Sequence, residues 1–553
     1  MLRTSAFTCI VRHWTFRSLR QALAAALLLL ATALQANEIQ VSNPTLIGTN
    51  TVNATTQVRF DISWANSWRT SSAPNNWDAA WVFVKYRNAN TGLWNHARLG
   101  SDAQHSAPAG STIATGLLAP GVAYDAATNW GVGAFIHRSA DGTGTFTANG
   151  LELRWNYGQN GITYADIAEV KVFAVEMVYV PQGSFSVGDG TTSTVQGQLR
   201  NGSTNTPLVI NSESALTLGG GANGNLANNN AFGMVTADDF NNTILQTLPA
   251  AFPKGYSGFY GMKYSITQQQ YVDFLNTLTR TQQNTRTATG LAVGVTSVTN
   301  RYVMSNSSTV QNRNGIRCNA SIDANAPIAF YCDGNGNGSG GESADGQWIA
   351  CNWLTWADVA AYLDWSGLRP MTELEYEKAC RGSLTPVANE YAWGNANIRS
   401  GNYTGANLGT ITEGVSDPET GANGNALYAS ARITPNGPGR VGLFAGAGTD
   451  RVNAGASYYG AMELSGNLRE RPVTVGNTQG RAYTGVLGNG DLDATGNADA
   501  TNWPGANAQG AGLRGGNWIF GALLMRVSDR GFASPALGAR SDIYGGRGVR
   551  VAP

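Results

Sequence analysis

The chain has 553 residues, 42% hydrophobic and 13% charged, against a usual charged share of about 25%. That length predicts two or more domains with real cores. Basic and acidic residues balance at 36 each, which excludes a global field for nucleic acid or an anionic membrane as the basis of function. The 69 glycines, many beside Asn, Ser and Thr, predict a loop-rich protein.

Residues 1–36 read as a signal peptide. Arg3, Arg12, Arg17 and Arg20 form a basic n-region, Ala22 to Leu30 an apolar run, and Ala31-Thr32-Ala33 or Ala36 a cleavage site. The run is well short of the ~20 residues that span a bilayer, so cleavage is expected rather than an N-terminal anchor. No later segment is apolar enough to cross, so the mature chain has no transmembrane segment. The expected location is periplasmic, cell-surface or extracellular. Cys9 leaves with the signal. Cys318, Cys332, Cys351 and Cys380 then form an even set in an exported protein, which predicts disulfides with three possible connectivities. Closeness in sequence favours Cys318–Cys332 and Cys351–Cys380. A zinc site of all four is the alternative, though no C-x2-C unit is present.

Residues 37–174 read as a β-sandwich. Val58 to Trp64, Trp81 to Tyr86 and Leu151 to Trp155 alternate, with turn-forming clusters between them. Trp64, Trp68, Trp77, Trp81 and Trp94 read as core aromatics in preference to a sugar-stacking face. His96, His105 and His137 lack metal spacing.

Residues 175–553 begin a different pattern. Val175 to Phe185 reads as a strand and turn, and residues 188–242 as long surface loops. Thr267 is placed to cap a helix carrying Tyr271, Phe274 and Leu275, and Thr355 one that begins at Trp356. Thr372-Glu373-Leu374-Glu375 matches a capping box.

These landmarks have a known order. Met177-Val178-Tyr179-Val180-Pro181, Met262-Lys263-Tyr264, Trp356-Ala357-Asp358, Leu368-Arg369-Pro370-Met371-Thr372-Glu373-Leu374-Glu375-Tyr376-Glu377, Tyr391-Ala392-Trp393-Gly394, Ser465-Gly466-Asn467-Leu468 and Leu513-Arg514-Gly515-Gly516-Asn517-Trp518 follow one another. Together they resemble the formylglycine-generating enzyme / sulfatase-modifying factor family. The resemblance implies an α+β, loop-rich C-type-lectin-like domain after the all-β sandwich, with function on loops near the C-terminus. It also implies what is missing. The family's oxidases bind copper through two cysteines after the Arg-Gly-Gly motif, and the matching positions here are Phe520 and Met525. Its nonheme-iron relatives use histidines, and none follows His137. No copper or iron is therefore expected, and no catalytic residue. An enzyme of this family with altered, oxidoreductase-type chemistry is the alternative.

By the same resemblance, a structural Ca²⁺ would be held by Glu463, Glu470, the carbonyls of Gly466 and Leu468, and Asn402. An ion pair of Glu470 with the adjoining Arg469 or Arg471 competes with that assignment. Asp333 to Ser339 matches half of an EF-hand loop, but Ala344 stands where the bidentate Glu belongs, which favours a glycine-rich turn.

The closing stretch, 514–550, reads as a recognition surface. Arg514, Trp518, Arg526, Asp529, Arg530, Arg540 and Arg550 are its expected frame. Ile519, Phe520, Ala522, Leu523, Leu524, Phe532, Ser534, Leu537, Ser541, Asp542, Ile543 and Tyr544 are the expected ligand-binding positions; strand residues facing a core are the competing interpretation. The runs 519–524 and 532–544 contain no Lys, Glu, Gln, Trp or Met. Their residue types are reachable by changing the first two bases of an Asn codon, a pattern similar to proteins diversified by retroelements. The expected function is that of an exported or surface-displayed binding protein, with a protein or glycan ligand on another cell surface as partner. A structural surface protein recognising its target through the Trp-rich first domain is a third possibility.

Overall fold

The strand Asp78–Asn88 is buried on both faces over most of its length, and the architecture is built outward from it. On one face Ala79, Trp81 and Phe83 join the core that contains the helices. On the other, Ala80, Val82, Val84 and Tyr86 pack against a second sheet. Side chains two apart share a face, so an unbroken apolar run such as Ala79 to Val84 belongs in the middle of a layered structure. The computed structural model describes residues 39–553 apart from 192–193, 230–231, 431 and 447. The expected signal peptide lies outside those residues. Among them, no helix is long and apolar enough to cross a membrane.

The second sheet is three-stranded, with Thr55–Arg69 between Gln40–Asn50 and Gly142–Trp155. The main sheet has eight strands. Its order runs Arg369–Pro370, Gly548–Val551, Phe259–Met262, Ile167–Val180, Asp78–Asn88, Gly131–Arg138, Ser111–Leu117, with Trp94–His96 paired to Asp78–Asn88 off that path. The two sheets form the expected sandwich, with Val58, Phe60, Ile62 and Trp64 facing Val82, Val84 and Ile136. The sheet does not stop where the sequence pattern changes. Ile167–Val180 runs through the 174/175 boundary, pairing with Asp78–Asn88 on one side and Phe259–Met262 on the other. Trp81 sits at this junction. Its indole donates to the Ser366 carbonyl at 2.7 Å, and the Arg550 guanidinium lies 4.5 Å over its ring. Gly116 and Gly133 leave the room, since a Cβ at either would lie 2.5 or 2.6 Å from the indole.

The three anticipated helix starts are present. Gln268–Leu275, Trp356–Trp365 and Glu373–Arg381 open on Thr267, Thr355 and Thr372, each accepting the N3 amide in a capping box. A further helix, Arg280–Arg286, has no apolar stripe to announce it. Its Arg280 donates to the carbonyls of Leu291, Asp323 and Ala326 at 2.5–3.0 Å, so side-chain hydrogen bonds hold it in place. The Asp333 loop is a glycine-rich turn. The Asp333 carboxylate pairs with Arg317 and accepts the Tyr302 hydroxyl at 3.1 Å.

The disulfide expectation is overturned, because all four cysteines are buried free thiols. Strands Ile316–Cys318 and Phe330–Cys332 do pair, but Cys318 stands opposite Phe330 and Cys332 opposite Ile316. The two thiols are therefore diagonal neighbours, with Cβ atoms up to about 7–8 Å apart, against the about 3.5–4.5 Å a disulfide needs. Cys351 and Cys380 lie in separate cores. Burial pushes the Cys380 thiol up to about 12 and that of Cys318 to about 11, which makes them inert packing groups.

Because the main sheet is shared, residues 175–553 expressed alone should show no cooperative thermal transition, whereas residues 39–553 should melt in one step. A soluble fragment with its own sharp transition would show that the sheet's N-terminal strands are dispensable.

Candidate functional site

The C-terminal segment has little regular structure, and ion pairs hold it. On the helix Glu373–Arg381, residues 373, 377 and 381 fall four apart and share one face. Glu373 accepts from Arg514 at 2.9 Å and from Arg530 at 2.6 Å. Arg530 reaches on to Asp238 at 2.8 Å, and Arg514 to Glu377 at 2.9 Å. Glu377 accepts Arg381 at 3.0 Å, and Arg381 also pairs with Glu390. Each member of this chain of alternating charge is buried. Burial alone would raise the Glu373 carboxyl. The Arg530 and Arg514 guanidiniums outweigh it and hold the group at about 2.

On this frame the turn after Arg514 is tightly specified. Gly515 and Gly516 have φ of 83° and 69°, and a Cβ on Gly516 would lie 2.4 Å from Met525. Asn517 Oδ1 accepts the amides of Ile519 and Phe520 at 2.8 and 3.0 Å, and Trp518 Nε1 donates to the Asp542 carbonyl at 3.0 Å. Phe520 is left 41% exposed. Leu523, on the one-turn 3-10 helix Ala522–Met525, is 56% exposed while Met525 is buried. The remaining expected frame residues behave similarly. Arg526 donates to Thr194, Arg540 pairs with Asp358, and Arg550 binds the Gly367 and Leu117 carbonyls.

The expected ligand positions separate into two groups. Ile519, Ala522, Leu524, Phe532, Leu537, Ser541, Asp542 and Tyr544 are half-buried, and the first three border the exposed Phe520 and Leu523 in sequence. Ser534 and Ile543 do not belong on a display surface. Ser534 Oγ donates to Asp238 at 2.7 Å, and Ile543 is packed in a core with Leu468 and Trp518. Both are pulled inward by what lies beneath them, a buried carboxylate and an apolar cluster.

Two arginines whose spacing to Glu470 suggests only an ion pair lie under this surface. Arg469 sits beneath two rings, 4.0 Å from the Phe532 centroid and 5.4 Å from that of Phe520. Arg471 lies 4.6 Å from the Tyr544 ring and donates to the Leu537 and Leu354 carbonyls at 3.0 and 3.1 Å. Burial pushes both guanidiniums down to about 10. Neither pairs with Glu470 among the described residues. Glu470 accepts Arg547, which precedes the last strand, at 2.7 Å and Ser265 at 3.3 Å.

That pairing bears on the expected calcium ligands. Glu463 accepts the Gly442 amide at 2.6 Å and is pushed up to about 7 by burial, against the pull of Arg547 and Arg440. Asn402 is exposed, and its carbonyl accepts Arg399 at 2.9 Å. The Gly466 amide donates to Gly515 at 2.7 Å, and the Leu468 side chain is core. Glu470 is paired with Arg547, whereas Glu463 forms no ion pair with a described residue, and Oε2 of each carboxylate is buried without a hydrogen-bond partner. Among the described residues, no group of three or more His, Cys, Asp or Glu side chains is arranged to hold a metal.

The model of the sulfatase-modifying factor enzyme 1-like domain matches residues 163–552. The chain belongs to that family. The sulfatase-modifying factor domain therefore starts near the strand Ile167–Val180 that also closes the sandwich, and it contains no histidine. No curated protein matches the chain. A solved structure, Treponema denticola variable protein 1, aligns at 14% identity over 68% of this chain and 96% of that one, with a TM-score of 0.23. That superposition is too loose to weigh on the fold.

Replacing Glu373 by Gln leaves Arg514 and Arg530 facing a neutral group in the interior of the sulfatase-modifying factor domain, and should cost about 3–5 kcal/mol. The Glu373 group lies at about 2 in the folded chain against an ordinary 4.5. Its contribution is therefore complete above pH 4.5 and is lost as the pH falls toward 2. Urea denaturation at pH 6 and pH 3 should show that Glu373→Gln loses stability chiefly at pH 6.

Proposed function

We propose that the chain is an exported or surface-displayed binding protein that uses the sulfatase-modifying factor scaffold to present a ligand-recognition surface at its C-terminus. The observation that carries this reading is a contrast within one short segment. Arg514 and Arg530 are locked into buried ion pairs, while Phe520 and Leu523 between them stand 41% and 56% exposed. A rigid frame with apolar tips suits recognition, because little is lost in ordering it on binding. Exposed apolar clusters of this kind mark interaction sites. The absence of histidine from 163–552 and of cysteine after Cys380 supports binding over the family's metal-dependent oxidations. The residue types of 519–524 and 532–544 further support a surface diversified by a retroelement. A near-copy of this coding segment beside a reverse-transcriptase gene, differing mainly at adenines, is the nucleotide pattern expected. The partner is a protein or glycan on another cell surface.

The test is binding of the mature chain to glycan and protein microarrays, wild type against Phe520→Ala with Tyr544→Ala. Truncating an anchor costs roughly 1–2 kcal/mol or more, so the hits should weaken by about two orders of magnitude while thermal unfolding stays cooperative. Loss of cooperative unfolding would identify the two residues as core and sink the reading. Oxygen consumption with a thiol peptide and added copper would instead restore an oxidase.

A further inference from the structure

We propose that the C-terminal surface takes an anionic group of its ligand, a carboxylate, sulfate or phosphate, onto the guanidinium of Arg469 between the rings of Phe532 and Phe520. The inference rests on the reading of this surface as a binding surface, and adds what the surface selects.

Arg469 is 3% exposed, yet its side chain makes no hydrogen bond to any described residue. Its Nε and Nη2 are enclosed without an acceptor. The contrast with the other buried arginines is direct. Arg514, Arg530, Arg381, Arg369 and Arg547 each hold a carboxylate. Arg550 and Arg471 each hold two carbonyls. The acid nearest in charge to Arg469 is Asp529, whose oxygens are turned to the amides of Gly531 and Gln196 at 3.2 and 3.4 Å. Burial pushes Asp529 up to about 6. A buried donor without an acceptor costs about 1–3 kcal/mol, more when charged. The protein carries that cost where the half-buried Phe532 and the exposed Phe520 cover the group.

The geometry around Arg469 is that of a receptor for an oxyanion. Its backbone is fixed on both sides: its amide donates to the Ile543 carbonyl at 3.0 Å and its carbonyl accepts Gly545 at 3.3 Å. Phe532 is the closer wall, 4.0 Å away and half-buried. Phe520 stands further off at 5.4 Å and is 41% exposed, so it is the more open wall. A carboxylate, sulfate or phosphate entering there meets unfilled N–H groups in fork geometry and forms charge-assisted hydrogen bonds. The remainder of the ligand then rests on Phe520 and Leu523. A neutral ligand of the same shape would bury those donors unpaired, which is the source of selectivity.

The test uses the mature chain and ligand-observed saturation-transfer NMR at constant ionic strength, with benzoate and phenyl phosphate as anionic probes and benzamide as the neutral isostere. Both anions should bind, the amide about tenfold more weakly or not at all. Arg469→Met should remove the preference, and Arg471→Met should keep it. The ratio between the two anions tells a carboxylate site from a phosphate site. Equal binding of benzoate and benzamide overturns the proposal, as does anion binding that survives Arg469→Met. If Arg469→Met does not fold, the wild-type preference for anions decides. Microarray hits that vanish in the Phe520→Ala, Tyr544→Ala variant without any anion preference leave the binding surface standing and remove Arg469 from it. Absence of both removes the two together.

Discussion

The structure depends on a chain of buried charges that runs from Asp238 through Arg530, Glu373, Arg514, Glu377 and Arg381 to Glu390. It joins a loop near residue 238, the C-terminal segment, a helix and the loop that follows it. Regular backbone ladders are scarce here, so the terminal segment is positioned by side chains. Desolvating such ions costs several kcal/mol each, and their pairing returns that only when the geometry is good. Their contribution is therefore best understood as specificity: one arrangement of 514–530 gives Arg514 and Arg530 their counter-charges, and alternatives leave charges unpaired. The low overall charge of the chain is consistent with this, because many of its charged side chains are internal.

A second constraint ties the two halves of the chain into one folded unit. The strand Asp78–Asn88 carries one core on each face, and Ile167–Val180 extends that sheet into the family domain. Trp81 is fastened from the far side by Ser366 and Arg550, residues separated from it by hundreds of positions in the chain. The sandwich is thus a wall of the sulfatase-modifying factor domain.

The surface that results has a fixed frame and soft tips. Arginines fill the frame for a physical reason: a planar guanidinium can satisfy several carbonyl or carboxylate oxygens at once, and irregular loops present such oxygens in abundance. Arg540, Arg547 and Arg550 each tie the last stretch to a different part of the molecule. Arg469 departs from that pattern, with rings in place of acceptors.

Local rules were readable in the residues themselves. Thr267, Thr355 and Thr372 announced their helices because a cap and its amide lie within one turn. The alternating strands, the family motifs and the Arg frame of the closing stretch were legible for the same reason: each is set by neighbouring residues or a short spacing. What only the tertiary structure decided was non-local. Closeness in sequence suggests two disulfides, and strand register and separate cores leave those two pairings unformed and all four thiols free. Glu470 found its partner in Arg547 rather than in the arginines beside it, and Ser534 and Ile543 turned inward toward Asp238 and Leu468. Ion pairs and burial are decided over a few ångströms between segments hundreds of residues apart, and spacing along the chain carries no record of those distances.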